Sequence, residues 1–366
     1  MDDRGGLGNI NESPPLDAPT PRDVHMKFPA AEGSSLNTRP ATGGLGTLRS
    51  GWKRLMQGTI FSSVFTLLST CIGAGTLSLP YAFQQGGLIP ASIIFFLIMV
   101  VSITVGFQLF AAKRYCEQLN PGTQVWGYED IALVAFGPIG KIIVLLTLIV
   151  LLVLTLIAYM IFTRDQLDLI VQFALTKTGH IPTCSPLMNC AVLVSMAFIP
   201  IFPVTLLRVL TPMQITSTFG MMCITYVGIT MFIKMVIYQS NRPVNRASIA
   251  PEDPSGLLIT VSYCSLSFVC HFNLLPLQKE LHRPTKKRMS IIVVFSMLLA
   301  YTLYNLVIFS GVFRFFGDLQ EDVMLNYPRT DVLMTTARVA LFFTLLCSYP
   351  VLLHPTRGRH KQTRHL

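Results

Sequence analysis

An all-α polytopic membrane protein is the fold class this sequence predicts, and three observations carry the prediction. Uncharged stretches recur along most of the chain, 51% of the residues are hydrophobic against 13% charged, and the mean hydropathy is +0.55. An ordinary soluble domain has about 25% charged residues. About 20 apolar residues suffice to cross the hydrocarbon core of a bilayer. Charge-free or nearly charge-free windows occupy 55–112, 142–163, 178–207, 209–233, 254–278, 289–313 and 339–356. The first is long enough for two crossings joined near Gln84–Gly87, so about eight transmembrane helices are expected.

Residues 1–50 come first and read as a disordered tail, with Pro14, Pro15, Pro19, Pro21, Pro29 and Pro40 among scattered Gly and Ser and almost no apolar periodicity. They lack the basic start, short apolar core and small-residue cleavage site of a secretory signal, so the first span itself is expected to direct insertion. A transmembrane domain follows over 51–357, then a basic polar tail over 358–366. The spans fall at about 58–84, 88–112, 139–163, 187–207, 212–236, 257–280, 289–313 and 331–353.

With the N-terminus in the cytosol, the inside loops hold sixteen Lys and Arg, including Arg49, Lys53, Arg54, Lys113, Arg114, Lys286, Lys287 and Arg288. The outside loops hold six: Arg164, Lys177, Arg242, Arg246, Arg314 and Arg329. Positive residues accumulate on the cytosolic side of membrane proteins, and inverting the chain would reverse the count. The net charge of +10 is thus a topology signal and an attraction to anionic lipid, not a nucleic-acid footprint. The membrane itself, of the cell surface or of an organelle, is left open.

Eight cysteines, at 71, 116, 184, 190, 223, 264, 270 and 347, show no metal-ligand spacing. Cys184 and Cys190 fall on the outside before the fourth span, where a six-residue separation permits a disulfide without requiring one. A membrane enzyme is disfavoured: His180, His271, His282 and His354 have no carboxylate or second His at metal-ligand or acid/base spacing within a span. No phosphate-loop pattern accompanies the Gly-x-Gly at 73–75. No cofactor is expected.

Two spans carry residues that weaken a helix. The first contains "STCIGAGTLSLPYAFQQGG" (69–87), with Gly73, Gly75, Pro80, Gly86 and Gly87. Unwound backbone is tolerated at membrane depth only when it lines a cavity or is buried in protein. There its amides can face a carboxylate and its freed carbonyls a cation. Close helix packing through small residues is the other reading. In the sixth span, polar Ser262, Ser265, Ser267, His271 and Asn273 precede Pro276, which removes a helical hydrogen bond and crowds the turn before it. Interruptions in spans one and six are the pattern of a transporter built from two five-helix repeats of inverted orientation. His271 is read as a packing histidine or a hydrogen-bonded bridge before a proton relay.

These segments, "GAGTLSLPYAFQQGG" (73–87), "LSFVCHFNLLPLQKEL" (266–281), "RPTKKRM" (283–289) and "ARVALFFTLLCSYPVLLHPTR" (337–357), resemble the amino acid/auxin permease family, most closely its kinetoplastid amino acid transporter branch. The likeness covers Trp52 to Arg357, with a slightly varied aromatic-rich entry to the sixth-span motif. It implies a leucine-transporter-like inverted-repeat fold and secondary active transport of an amino acid coupled to protons or sodium. Carried over by position, Ile72, Gly73, Ala74 and Gly75 would offer backbone to the substrate. Phe268, Cys270 and His271 would face the same pocket, Tyr159 would match a site-facing aromatic or a packing one, and Ser69 with Thr344 or Ser348 would match coupling-ion positions.

Relatives in that family continue for about three more membrane helices where this sequence turns to "GRHKQTRHL". The resemblance therefore also carries the expectation of an incomplete second repeat, and the alternative of a truncated transporter paralogue without transport of its own. The amino acid and the oligomeric state are left open. No Asp or Glu lies mid-span, and Asp165 and Asp168, at the outer end of the third span, are the nearest carboxylates, expected to be solvated.

Overall fold

The structure, a computed structural model, describes residues 59–119, 125, 127–177, 210–239, 250–251, 253–281, 284–315 and 317–360. The expected tail 1–50, the fourth span 187–207, and Cys184 and Cys190 lie outside the described residues. Among the described residues every regular element is helical. Five helices are long and apolar enough to cross a membrane, and a sixth crossing results if one bent pair counts as a single span. The chain is an all-helical, multi-pass integral membrane protein.

The bent pair is the first span. Helix α1 (Ile60–Cys71) starts at Thr59, whose hydroxyl accepts a hydrogen bond from the Ser62 amide at 3.2 Å. Helical geometry is lost at Ile72 and Gly73, both extended. A 3-10 turn over Ala74–Ser78 then leads into α2 (Leu79–Gly86), with Pro80 in its first turn, where a missing N–H costs nothing. The two halves meet at 57°. Gly87, at φ 75°, turns the chain directly into α3 (Leu88–Leu119).

The third span is longer than hydropathy indicates. Helix α4 runs over Tyr128–Lys177 with a kink at Gly137, φ 73°, followed by Pro138. Its continuation past residue 163 contains Arg164, Asp165, Gln166 and Asp168, polar residues that end an apolar window without ending a helix. Leu152, Tyr159, Thr163 and Gln166 are buried on one face, whereas Val150, Val153, Leu154, Ile157 and Ile161 are exposed. That is the spacing of one helical stripe facing protein and the rest facing lipid.

After α5 (Leu210–Gln239), the sixth span repeats the plan of the first. Helix α6 (Pro254–Ser267) stops at Phe268, a 3-10 turn spans His271–Asn273, and α7 (Leu274–Glu280) follows. Pro276 lies in the first turn of α7, where proline is tolerated, so the interruption falls upstream at Phe268–Cys270 rather than at the proline itself. Small residues let α2 and α6 approach closely. A Cβ on Gly86 would stand 2.1 Å from the Thr260 hydroxyl and one on Gly256 would stand 2.1 Å from the Gln85 carbonyl, while the Thr260 hydroxyl donates to the Ala82 carbonyl at 2.8 Å. Close packing through small residues thus explains Gly86.

Helix α8 (Lys286–Phe315) forms the centre of the bundle, burying Ile292, Val293, Met297, Ala300, Tyr304 and Ile308 against α1, α2, α3 and α5. A connection with its own short 3-10 turn, Val323–Asn326, leads to α9 (Val332–His360), which packs on α5 and α4. The side chain of Gln84, near the end of α2, binds the Gly317 carbonyl and the Leu319 amide of that connection. Gln166 of α4 binds Asp322 of the same connection. At the other end, Lys113 of α3 donates to Gln278 of α7 at 3.3 Å. Chain ends that alternate crossing assigns to one side therefore meet on that side.

Candidate functional site

Both interruptions open onto one cavity of about 590 Å³, lined by Thr70, Cys71, Gly73, Gly75 and Ser78 from the first break and by Tyr263, Ser267, Val269 and Phe272 from the second. Tyr159, Phe162 and Asp165 of α4 and Glu321, Asp322 and Leu325 of the α8–α9 connection complete it. The volume is in the range of small-molecule sites. Its floor is backbone and small side chains, its flank is apolar, and its carboxylates gather at the end nearest the α8–α9 connection.

Two contacts hold the breaks against each other. The Tyr304 hydroxyl lies 2.7 Å from the Cys71 carbonyl and 2.8 Å from the Ser267 carbonyl, sharing its proton between the last carbonyls of α1 and α6. Asn273 Nδ2 donates to Thr70 Oγ1 at 3.0 Å. The N–H groups that open a helical segment have no acceptor within it, so the amides of Ala74 and Gly75, first in their 3-10 turn, are free of that pairing, and Gly75 lines the cavity.

The sequence-derived residues separate into three groups. Gly73, Gly75 and Tyr159 line the cavity, and the Tyr159 hydroxyl sits over Gly73, 1.8 Å from where a Cβ would be. A Cβ on Gly75 would meet only Ser267 Oγ, at 3.8 Å, and its backbone is not in the left-handed region. The need for glycine falls on Gly73; the tyrosine ring above it sets that need. Ile72 is buried beside them, and Ala74 contributes backbone to the 3-10 turn.

Phe268, Cys270 and His271 do not line the cavity. Phe268 is fully buried in a ring cluster, 5.1 Å from Phe95 and 5.6 Å from Tyr304 between centroids. Cys270 is fully buried with its thiol against Cys71. His271 Nε2 is 2.8 Å from the Ser102 carbonyl of α3; a carbonyl only accepts, so Nε2 carries the proton. The histidine bridges the second break to α3, as the bridging reading expects. All three brace the break from behind.

Ser69, Thr344 and Ser348 are buried. The Thr344 hydroxyl donates within α9 to Ala340 at 3.0 Å and lies 3.3 Å from the Gly220 carbonyl of α5; Ser348 donates to the Thr344 carbonyl at 2.9 Å. Helix α9 also packs on α1, which carries Ser69. Oxygen-bearing side chains thus occupy neighbouring helices behind the first break.

Two buried polar residues at the site escaped sequence reasoning. Tyr304 carries one signal, a polar-tipped ring in the middle of an apolar span, which must find a partner there. Asp322 carries none, since a loop carboxylate is ordinarily solvated. Here it is 4% exposed, accepting from the Met324 amide and from Gln166 Nε2, both at 2.8 Å. Burial pushes its carboxyl up to about 7; the Met324 amide hydrogen bond opposes this, nearby Asp165 reinforces it, and Arg338 and Gln166 oppose it. Asp165 also lines the cavity, paired with Arg164, whereas Asp168 is hydrogen-bonded to Gln172.

A multi-pass helical protein whose two interrupted spans face one shared, partly open and largely apolar cavity has the architecture of a membrane transporter. Residues 56–363 match the family described as transmembrane amino acid transporter protein, and the chain belongs to that family. Among curated proteins it is similar to sodium-coupled neutral amino acid transporter 7 of Xenopus laevis, 23% identical over 90% of this chain and 71% of that protein. It is likewise similar to the proteins of the same name from Bos taurus and Homo sapiens, at 25% and 24% identity, each over 79% of this chain. The chain spans 62% of the length of these two relatives.

Proposed function

We propose that the chain is a secondary active transporter that moves amino acids across a membrane, driven by a proton or sodium gradient, with substrate held between the broken first and sixth spans. The observation that carries the proposal is the pair of breaks facing one cavity. A zwitterionic substrate needs donors for its carboxylate and acceptors for its ammonium, and unwound backbone supplies both where no charged side chain is required. The amides at Ala74 and Gly75 serve the carboxylate, Ile72 and Gly73 contribute backbone, and the Tyr159 ring closes the flank. Phe268, Cys270 and His271 keep the second break in position. Ser69, Thr344 and Ser348 supply the oxygens for sodium, the ion in the names of the relatives.

Radiolabelled uptake against a panel of amino acids, in a transport-deficient host with sodium and pH varied independently, tests this. Saturable uptake that falls when sodium is replaced by choline assigns sodium; a fall on collapse of the pH gradient assigns protons. Absence of saturable uptake for every amino acid, with the chain verified in the membrane, overturns the proposal.

The N-terminus is proposed to be cytosolic, from the Lys and Arg asymmetry. In a cysteine-depleted background, an impermeant thiol reagent should label Ser248→Cys in intact cells and spare Thr285→Cys. The reverse pattern inverts the orientation.

A further inference from the structure

We propose that Asp322 is a proton-binding site that couples docking of the α8–α9 connection over the cavity to the uptake of one proton. The inference rests on the reading above of this cavity as the substrate site. Three structural features carry it.

First, Asp322 stands where the connection meets α4. Its Oδ1 accepts from the Met324 amide and caps the 3-10 turn of the connection, while its Oδ2 accepts from Gln166 of α4. One carboxyl group therefore both shapes the connection and ties it down beside the cavity that it lines. Second, that group is buried without a paired cation. Arg338, the basic residue that faces it from α9, directs its guanidinium at the carbonyls of Met324, Tyr327 and Pro328. Among the described residues no ion pair reaches Asp322. The other charged group that acts on it is Asp165 of α4, of like sign though ion-paired with Arg164 at 2.8 Å, with Glu321 adjacent in the connection itself. A carboxylate desolvated beside another carboxylate is costly, and neutralisation by a proton relieves that cost.

Third, the tie lacks a hydrogen. Gln166 is fully buried, and its Oε1 has no hydrogen-bond partner. An amide offers donors and acceptors together, whereas a carboxylate only accepts. The amide and carboxylate therefore leave Oε1 with nothing to accept. A carboxylic acid carries one donor that a carboxylate lacks, and the buried Gln166 Oε1 is an acceptor without a partner.

The direction of the pH dependence follows. Undocked, Asp322 meets water and takes an ordinary carboxyl pKa of about 3.9; docked, it titrates at about 7. Docking is strongest in acid, weakens as pH rises between these values, and levels off above the upper one. Within that interval each docking event takes up close to one proton, and docking weakens by up to about tenfold per pH unit.

Hydrogen–deuterium exchange of peptides covering 318–331, in the full chain reconstituted in nanodiscs and corrected for intrinsic amide chemistry, reads docking without requiring transport. Protection should rise by up to about tenfold per unit as pH falls from 7 to 5. Asp322→Asn, permanently neutral, should be protected with no such slope, and Asp165→Asn should move the midpoint to lower pH. Flat protection in the unaltered chain, an unchanged slope in Asp322→Asn, or an unmoved midpoint in Asp165→Asn overturns the proposal. A chain with the predicted slope but no amino acid uptake keeps the proton site and loses the transport reading. A chain with uptake but no slope keeps transport and loses the proton site.

Discussion

Gly73→Ala is expected to lower substrate affinity by roughly 5- to 150-fold, the equivalent of about 1–3 kcal/mol of overpacking, while Gly75→Ala leaves it nearly unchanged. The added Cβ at 73 would stand 1.8 Å from the Tyr159 hydroxyl and 2.7 Å from the ring carbon that bears it. No retained contact survives at those distances, so the ring must move. Both residues line the cavity, and a displaced ring occupies space that the substrate needs. At Gly75 the same added atom makes only an ordinary contact with Ser267 Oγ at 3.8 Å. The measurement is substrate concentration dependence of uptake, or of thermal protection of the purified protein. In a Tyr159→Ala background the alanine at 73 should cost much less than in the parent, because the atoms it strikes are gone; such non-additivity is the signature of direct contact. Equal costs at 73 and 75, or a cost at 73 indifferent to Tyr159, would remove the tyrosine–glycine contact from the account of binding.

Much of this architecture was legible in the sequence because the bilayer imposes a simple demand. A crossing helix needs about 20 apolar residues, and a break within it must be protected by protein. Hence the all-helical character and the interrupted first and sixth spans could be read from residue types alone. Helix length could not, since Arg164, Asp165 and Asp168 end the apolar window of the third span yet continue its helix. Nor could the direction in which individual residues of a break face. Phe268 and Cys270 lie within four residues of cavity-lining Ser267, Val269 and Phe272, yet they turn the other way. Irregular backbone has no period from which a face can be inferred. Asp322 was invisible for a different reason: its burial depends on Gln166, 156 residues earlier, and no local pattern announces a partner at that separation.

Distant partners likewise govern Tyr304, 233 residues from Cys71 and 37 from Ser267, and Tyr304→Phe is expected to destabilise the protein by about 1–3 kcal/mol, the cost of a buried polar group left without its partner. The hydroxyl supplies one proton to the Cys71 and Ser267 carbonyls at the ends of α1 and α6; the Cys71 carbonyl also accepts from the Gly73 amide at 3.1 Å, so the loss falls mainly on Ser267. Phenylalanine preserves the ring packing against Phe95 and Phe268, so the loss isolates the hydrogen bond. The two breaks would remain joined by the Asn273–Thr70 bond at 3.0 Å, and the added variant Asn273→Leu should deepen the loss by more than its own single effect. Thr302→Val serves as the control: its hydroxyl donates to the Leu298 carbonyl of its own helix at an exposed position, and its removal should cost little. Thermal unfolding of the purified chain in nanodiscs compares the variants. A Tyr304→Phe midpoint matching that of Thr302→Val would show that the breaks are held by packing alone, and that the shared hydroxyl between α1 and α6 carries no weight.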